Sequence, residues 1–160
     1  VVYACYASRE ELLGALLERE EKKLFDGVMS ALPRVPDFSN PEKLMVGGFQ
    51  ALLKVVSAHA DSWRLVFASE PDPAIADRYG DARQRVAQRV GVLMAPALKL
   101  RGVKDVPRKL PVLVEMFMSM GDGAVRALLA GEGSGKPNPW TPDELGAAVG
   151  RMVLAALLKA

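Results

Sequence analysis

A single histidine, His59, and a single cysteine, Cys5, set narrow limits on the chemistry this chain can carry. A Ser-His-Asp triad would have to use His59, and no G-x-S-x-G nucleophile turn accompanies it. One thiol forms no disulfide within the chain, and one histidine beside it builds no His/Cys metal centre, so neither a metal nor a cofactor is expected. The segment Gly131-Glu132-Gly133-Ser134-Gly135-Lys136 ends in Gly-Lys but lacks the P-loop spacing, the following Ser or Thr and a preceding strand. It reads as a loop. The one acid–base pair on offer is Glu115 with His59. Glu115 stands alone in an apolar run, where an unpaired buried carboxylate is costly, so it needs a partner; Arg64 is one candidate.

What the chain has in quantity is adaptable apolar surface. Phe25, Phe49, Trp63 and Phe67 supply ring faces, and Met29, Met45, Met94, Met116 and Met120 supply thioethers that repack at little cost. With Leu52 they form a candidate cavity for a small hydrophobic molecule, His59 offering a hydrogen bond and Glu115 a polar contact. Taken singly, each of these apolar residues reads better as plain core, and it is the set that points to a cavity.

Six helices must position them. Ser8, with Glu11 three residues on, has the form of a capping box, and Leu13, Leu17, Leu24, Val28 and Leu32 follow at helical spacing until Pro33. Asn40-Pro41-Glu42 opens a second helix, with Pro suited to the first helical position. Its polar stripe is narrow (Lys43, Gly47, Gln50, Lys54), so other helices should surround it. A short helix is expected over 62–69. A long amphipathic one follows Asp72-Pro73, with Ile75, Tyr79, Val86, Val90 and Leu93 on its apolar face and a bend at Pro96. Two prolines make 104–111 an expected irregular joint, after which 112–129 reads as a helix apolar almost all round. Thr141-Pro142-Asp143-Glu144 opens the last helix. No strand and no internal repeat is evident, and the fold class is all-α.

The chain has 160 residues, half of them apolar and a quarter charged, which suits one soluble domain with a sizeable core. Its 21 basic and 19 acidic groups leave a formal charge of +2, too balanced to argue for nucleic-acid binding by this stretch. No apolar run approaches the ~18 residues that span a bilayer. With one cysteine and no secretory leader visible, the expected location is the cytoplasm, with no membrane partner.

The first residues add a more specific signal. Tyr3, Tyr6, Ser8-Arg9-Glu10 and Leu12-Leu13 resemble the end of the DNA-reading helix and the start of the connecting helix in the TetR family of transcriptional regulators. That family typically carries Tyr-x-His-Phe, a small residue and Ser-Lys-Glu-x-Leu-Leu there. Cys5 departs from the pattern by replacing His, a good phosphate donor. The resemblance covers about a dozen residues. It implies that 1–7 are the remnant of a helix-turn-helix unit, that 8–160 are a ligand-binding and dimerisation domain, and that Tyr3 and Arg9 contact DNA phosphates. Gly121-Asp122-Gly123 also looks like the family's Asp-Gly in the penultimate helix.

The last two helices carry more apolar surface than a small bundle hides on one side. The resemblance implies a homodimer in which they form a four-helix bundle with a second copy. Phe117, Ala124 and Leu128 on one, and Leu145, Val149, Met152, Val153 and Ala156 on the other, are the expected interface. The resulting expectation is a TetR-like regulator, in the sense of a repressor: a small apolar effector would tilt the first helix and alter the spacing of paired readers on operator DNA. A helical enzyme or carrier for a lipophilic molecule is the alternative, and it would need Glu115 and His59 to meet at a cavity.

Overall fold

A computed structural model describes residues 8–67, 73–132 and 138–159. Those residues form six helices and no strand: α1 (Arg9–Ala31), α2 (Pro41–Ala58), α3 (Ala60–Val66), α4 (Pro73–Leu100), α5 (Val106–Glu132) and α6 (Pro142–Leu158). The chain is all-α, as its periodicities require.

Most of the boundaries follow from local chemistry. The Ser8 hydroxyl accepts from the Glu11 amide at 3.1 Å and starts α1. The Asn40 side chain does the same for the Lys43 amide at 2.9 Å, with Pro41 filling a position whose N–H would have no partner. Thr141 and Glu144 complete a reciprocal capping box at α6: the hydroxyl accepts the Glu144 amide, and the carboxylate accepts the Thr141 amide. The paired hydrogen bonds to Thr141, side chain first, hold the Glu144 carboxyl below its ordinary range. At the end of α4, Gly102 adopts φ +71°, its amide donating to Lys99 O and the Val103 amide to Leu98 O. That is the paired bonding of a Schellman stop, and it needs a residue without a Cβ at the left-handed position.

The joint expected over 104–111 is shorter than its prolines suggest. Helix α5 begins at Val106, with the Asp105 carbonyl accepting from the Arg108 and Lys109 amides at 3.0 Å each. Pro107 falls in the first turn, where helical amides have no carbonyl to reach, and Pro111 is carried inside the helix. Pro96 likewise lies within α4 without ending it.

Two clusters of buried side chains share the interior. One joins α2, α3, α6 and the second half of α5 around Phe49, Leu53, Val56, Trp63, Leu128 and Val153. The other joins α4 to the first half of α5 around Val86, Val90, Met94, Leu98, Val106 and Met118. Phe117, Val28 and Leu157 pack against both. The most extensive helix pairing is α2 with α6. It is close because Gly146 and Gly150 face α2 backbone: a Cβ on Gly150 would lie 2.7 Å from Val46 Cα. Gln50 and Lys54, expected on a solvated stripe of α2, also reach α6 from it, with Lys54 exposed. The Gln50 amide donates to Asp143 O, and Lys54 pairs with the Asp143 carboxylate.

Candidate functional site

Where the two clusters meet they leave a cavity of about 720 Å³. Its size falls in the range of small-molecule sites, roughly 300–1,000 Å³. All six helices contribute wall, and all five phenylalanines of the chain, Phe25, Phe38, Phe49, Phe67 and Phe117, line it. So do Trp63 and Tyr79. The rings pack on one another: Phe49 against Phe117 at 5.4 Å between centroids, Trp63 against Phe67 at 6.0 Å, and Phe67 edge-on to Tyr79 at 5.3 Å. The Trp63 indole N–H finds no acceptor among the described residues, and its nitrogen exposes less than 1 Å². It therefore sits beneath the cavity surface rather than on it.

The expected ligand set divides. Phe25, Met45, Phe49, Leu52, Trp63, Phe67 and Met94 line the cavity. Met29 and Met120 pack from the side against the core clusters and do not line it. Met116 is 51% exposed on the outer face of α5. His59 caps α2, its amide donating to Val56 O and its carbonyl accepting from the Trp63 amide; it does not line the cavity. Glu115 is exposed and also lies off it, so the acid–base pair an enzyme reading required is not assembled at this site.

The partner of Glu115 is Arg83 rather than Arg64. Two Arg83 nitrogens meet the two Glu115 oxygens at 3.1 and 2.9 Å, a fork-on-fork pairing, while Arg64 is held by Asp61. Arg83 Nε also donates to Asp122 at 2.9 Å, and the Tyr79 hydroxyl donates to the other Asp122 oxygen at 2.7 Å. This network ties α4 to α5, and Tyr79, Arg83 and Asp122 all line the cavity. The hydrogen bond from Arg83 holds the Glu115 carboxyl below its ordinary value. Burial, reinforced by Asp122, pushes the Tyr79 hydroxyl far up, so it stays a donor.

Helix α1 has its own polar ties across the cavity. Glu20 accepts from the Ser62 hydroxyl of α3 at 3.0 Å. Glu21 receives Arg78 at 2.7 Å and Arg85 at 3.0 Å, both from α4. Near its C-terminal end, Arg89 reaches the carbonyls of Pro33 and Arg34.

The residues expected at a dimer interface lie mostly inside the protomer. Ala124, Leu128, Leu145, Val149 and Val153 belong to the core cluster that α2 shares, with Leu128 fully buried, and Phe117 lines the cavity. Those on α6 are covered because α2 lies flat on that helix, and those on α5 because the same core cluster closes over them. Met152 and Ala156 alone of the eight are exposed. Of the residues tied to DNA, Tyr3 and Cys5 lie outside the described residues; Arg9 opens α1.

Among the described residues no group of three His, Cys, Asp or Glu is placed to hold a metal ion, and no helix is long and apolar enough to cross a membrane. No family model, curated protein or solved structure matches the chain.

Proposed function

We propose that this chain is the ligand-binding and dimerisation part of a TetR-like transcriptional regulator, in the sense of a repressor. The observation that carries this reading is the aromatic-lined cavity of about 720 Å³, one wall of which is α1. In the resemblance at residues 3–13, α1 continues directly from the DNA-reading helix. A small apolar effector seated in the cavity presses on α1, and a rigid helix transmits that displacement to its N-terminal end. A ligand biases the arrangement only by binding one position of α1 better than the other. The DNA-reading residues then lie ahead of Val1, and the protein works in the cytoplasm.

The test is selection from a random duplex pool, using protein that carries the coded sequence ahead of Val1. It is run with and without a panel of aromatic amines, acids and alcohols. A recurrent site of two half-sites spaced about one turn, ~34 Å, is expected, with occupancy lost for at least one class of compound. No enriched sequence in either condition would sink the proposal.

The dimer it requires uses the outer faces of α5 and α6. Val112 and Met116 on α5 and Met152 on α6 are more than half exposed, and Ala127 on α5 and Ala155 and Ala156 on α6 are exposed as well. Placing Glu at both Met116 and Met152 sets like charges against each other across a two-fold axis. Self-association measured by sedimentation should weaken by roughly tenfold or more. A wild-type chain that sediments as a monomer at every concentration would remove the dimer from the reading.

A further inference from the structure

The charged groups on the cavity wall are not equally occupied. Arg78 is held by Glu21, and Arg83 is held by Asp122 and Glu115 together. Arg101, the remaining arginine of the wall, is exposed to solvent beyond the last turn of α4. Glu20 is the exception among the acids. It is half-buried, lines the cavity, and its side-chain partner among the described residues is the Ser62 hydroxyl rather than a cation. A hydroxyl supplies one hydrogen bond and no charge, so among the described residues no cation is paired with this carboxylate beside an apolar surface. Ser62 immediately precedes Trp63, which sets the Glu20 carboxylate on the α1–α3 side where the aromatic stack of Trp63, Phe67 and Tyr79 begins.

Aromatic faces attract cations through their quadrupole, and the gain grows as water is excluded. The chain already uses this on two of the lining rings, with the Arg85 guanidinium 4.4 Å from the centroid of Phe25 and that of Arg126 5.0 Å from Phe67. An anion entering the cavity would meet the same ring faces unfavourably, and its only uncommitted arginine on the wall, Arg101, is already hydrated.

We infer that the ligand of this cavity is a lipophilic cation, its charge set against Glu20 and its apolar body against the aromatic walls. This rests on the reading of the cavity as a ligand site and adds the chemical class of the ligand.

Tetraphenylphosphonium and tetraphenylborate have the same four-phenyl shape and opposite charge, so titrating each into the whole chain by calorimetry isolates the sign of the preferred charge. The phosphonium should bind roughly tenfold or more tighter than the borate. Glu20→Gln keeps an acceptor for Ser62 but removes the charge; it should weaken the phosphonium by roughly five- to tenfold and leave the borate unchanged or tighter. Ser62→Ala leaves the carboxylate in place and should hold phosphonium affinity within about twofold. Thermal melts confirm that both variants are folded; should Glu20→Gln fail to fold, the ratio of the two ions on the wild type decides. Borate binding as tightly as phosphonium, or phosphonium binding unaffected by Glu20→Gln, overturns the inference while the apolar cavity stands. Failure of both ions to bind removes the cavity reading and this inference with it.

Discussion

Gly150→Ala is expected to lower the stability of this protein, although the same change stabilises most helices. In the interior of a helix Ala is preferred over Gly by about 1 kcal/mol, because Gly surrenders more backbone freedom on folding. At Gly150 the added Cβ would stand 2.7 Å from Val46 Cα, 2.8 Å from Val46 N and 2.9 Å from the carbonyl carbon of Met45. These are backbone atoms of α2, which cannot turn aside as a side-chain tip can. The two helices must separate, and forced overpacking of this kind costs roughly 1–3 kcal/mol, occasionally more. Because α2 with α6 is the main pairing of the first core cluster, the separation also loosens Leu53 and Val153. Gly146→Ala should behave alike, since its Cβ would lie 2.6 Å from Gln50 N. Gly80→Ala, with nothing within 4 Å of the added atom, is the control and should be neutral or stabilising by up to about 1 kcal/mol. Urea unfolding of the three variants compares them directly. A Gly150→Ala protein as stable as Gly80→Ala would mean that the helices do not approach so closely.

Arg83→Met should cost roughly 2–3 kcal/mol at neutral pH, on the scale of losing hydrogen bonds to charged groups. The arginine side chain is mostly covered and is the sole bridge between the Asp122 and Glu115 carboxylates among the described residues. Removing it leaves Asp122 with only the Tyr79 hydroxyl and releases Glu115 from its fork. The pH dependence identifies the mechanism. Glu115 titrates lower in the folded chain than its ordinary 4.5, first because of the hydrogen bond from Arg83. Its contribution is therefore present above that ordinary value and is lost as pH falls through the lower, folded one. The stability difference between wild type and Arg83→Met should be largest near neutrality and narrow in the acid range below about 4.5. A difference that stays constant from pH 7 to pH 3 would assign the loss to the arginine stem's packing rather than to its charge.

The contrast between what was legible in the sequence and what was not has a physical basis. Helix starts at Ser8, Asn40 and Thr141 could be read because a cap is a contact across three residues. The spacing puts the start of α5 at 112, six residues later than Val106, because prolines usually break helices and nothing local marks Pro107 as lying in a first turn. The apolar character of Ala124, Leu128, Leu145, Val149 and Val153 was also evident, but an amphipathic stripe states only that a face is covered. Whether α2 or a second copy covers it depends on Gly146 and Gly150 meeting Val46 and Gln50, about a hundred positions away. Seven of the twelve residues expected around a ligand line the cavity. In the sequence Tyr79 reads only as an apolar-face position and Asp122 only as part of Gly121-Asp122-Gly123, and their link through Arg83 is not legible because it joins positions 39 and 43 apart. One trace was available: Tyr79 and Arg83 are spaced four apart on α4 and so share a face.

The thin anchoring of the second half of α1 sets where filling the cavity would be felt. Over residues 18–31 of α1 Leu24 alone is buried, whereas α2 buries Phe49, Leu53 and Val56 and α6 buries five positions. Elements with little buried apolar surface open at a lower free energy than the body they rest on. Hydrogen exchange should therefore show the amides of that half of α1 trading with solvent ahead of those in α2 and α6. A molecule seated against Leu24, Phe25 and Val28 would add contacts to this thinly buried stretch. Occupancy then slows exchange along α1 first, which makes that helix the recorder of whether the cavity is filled.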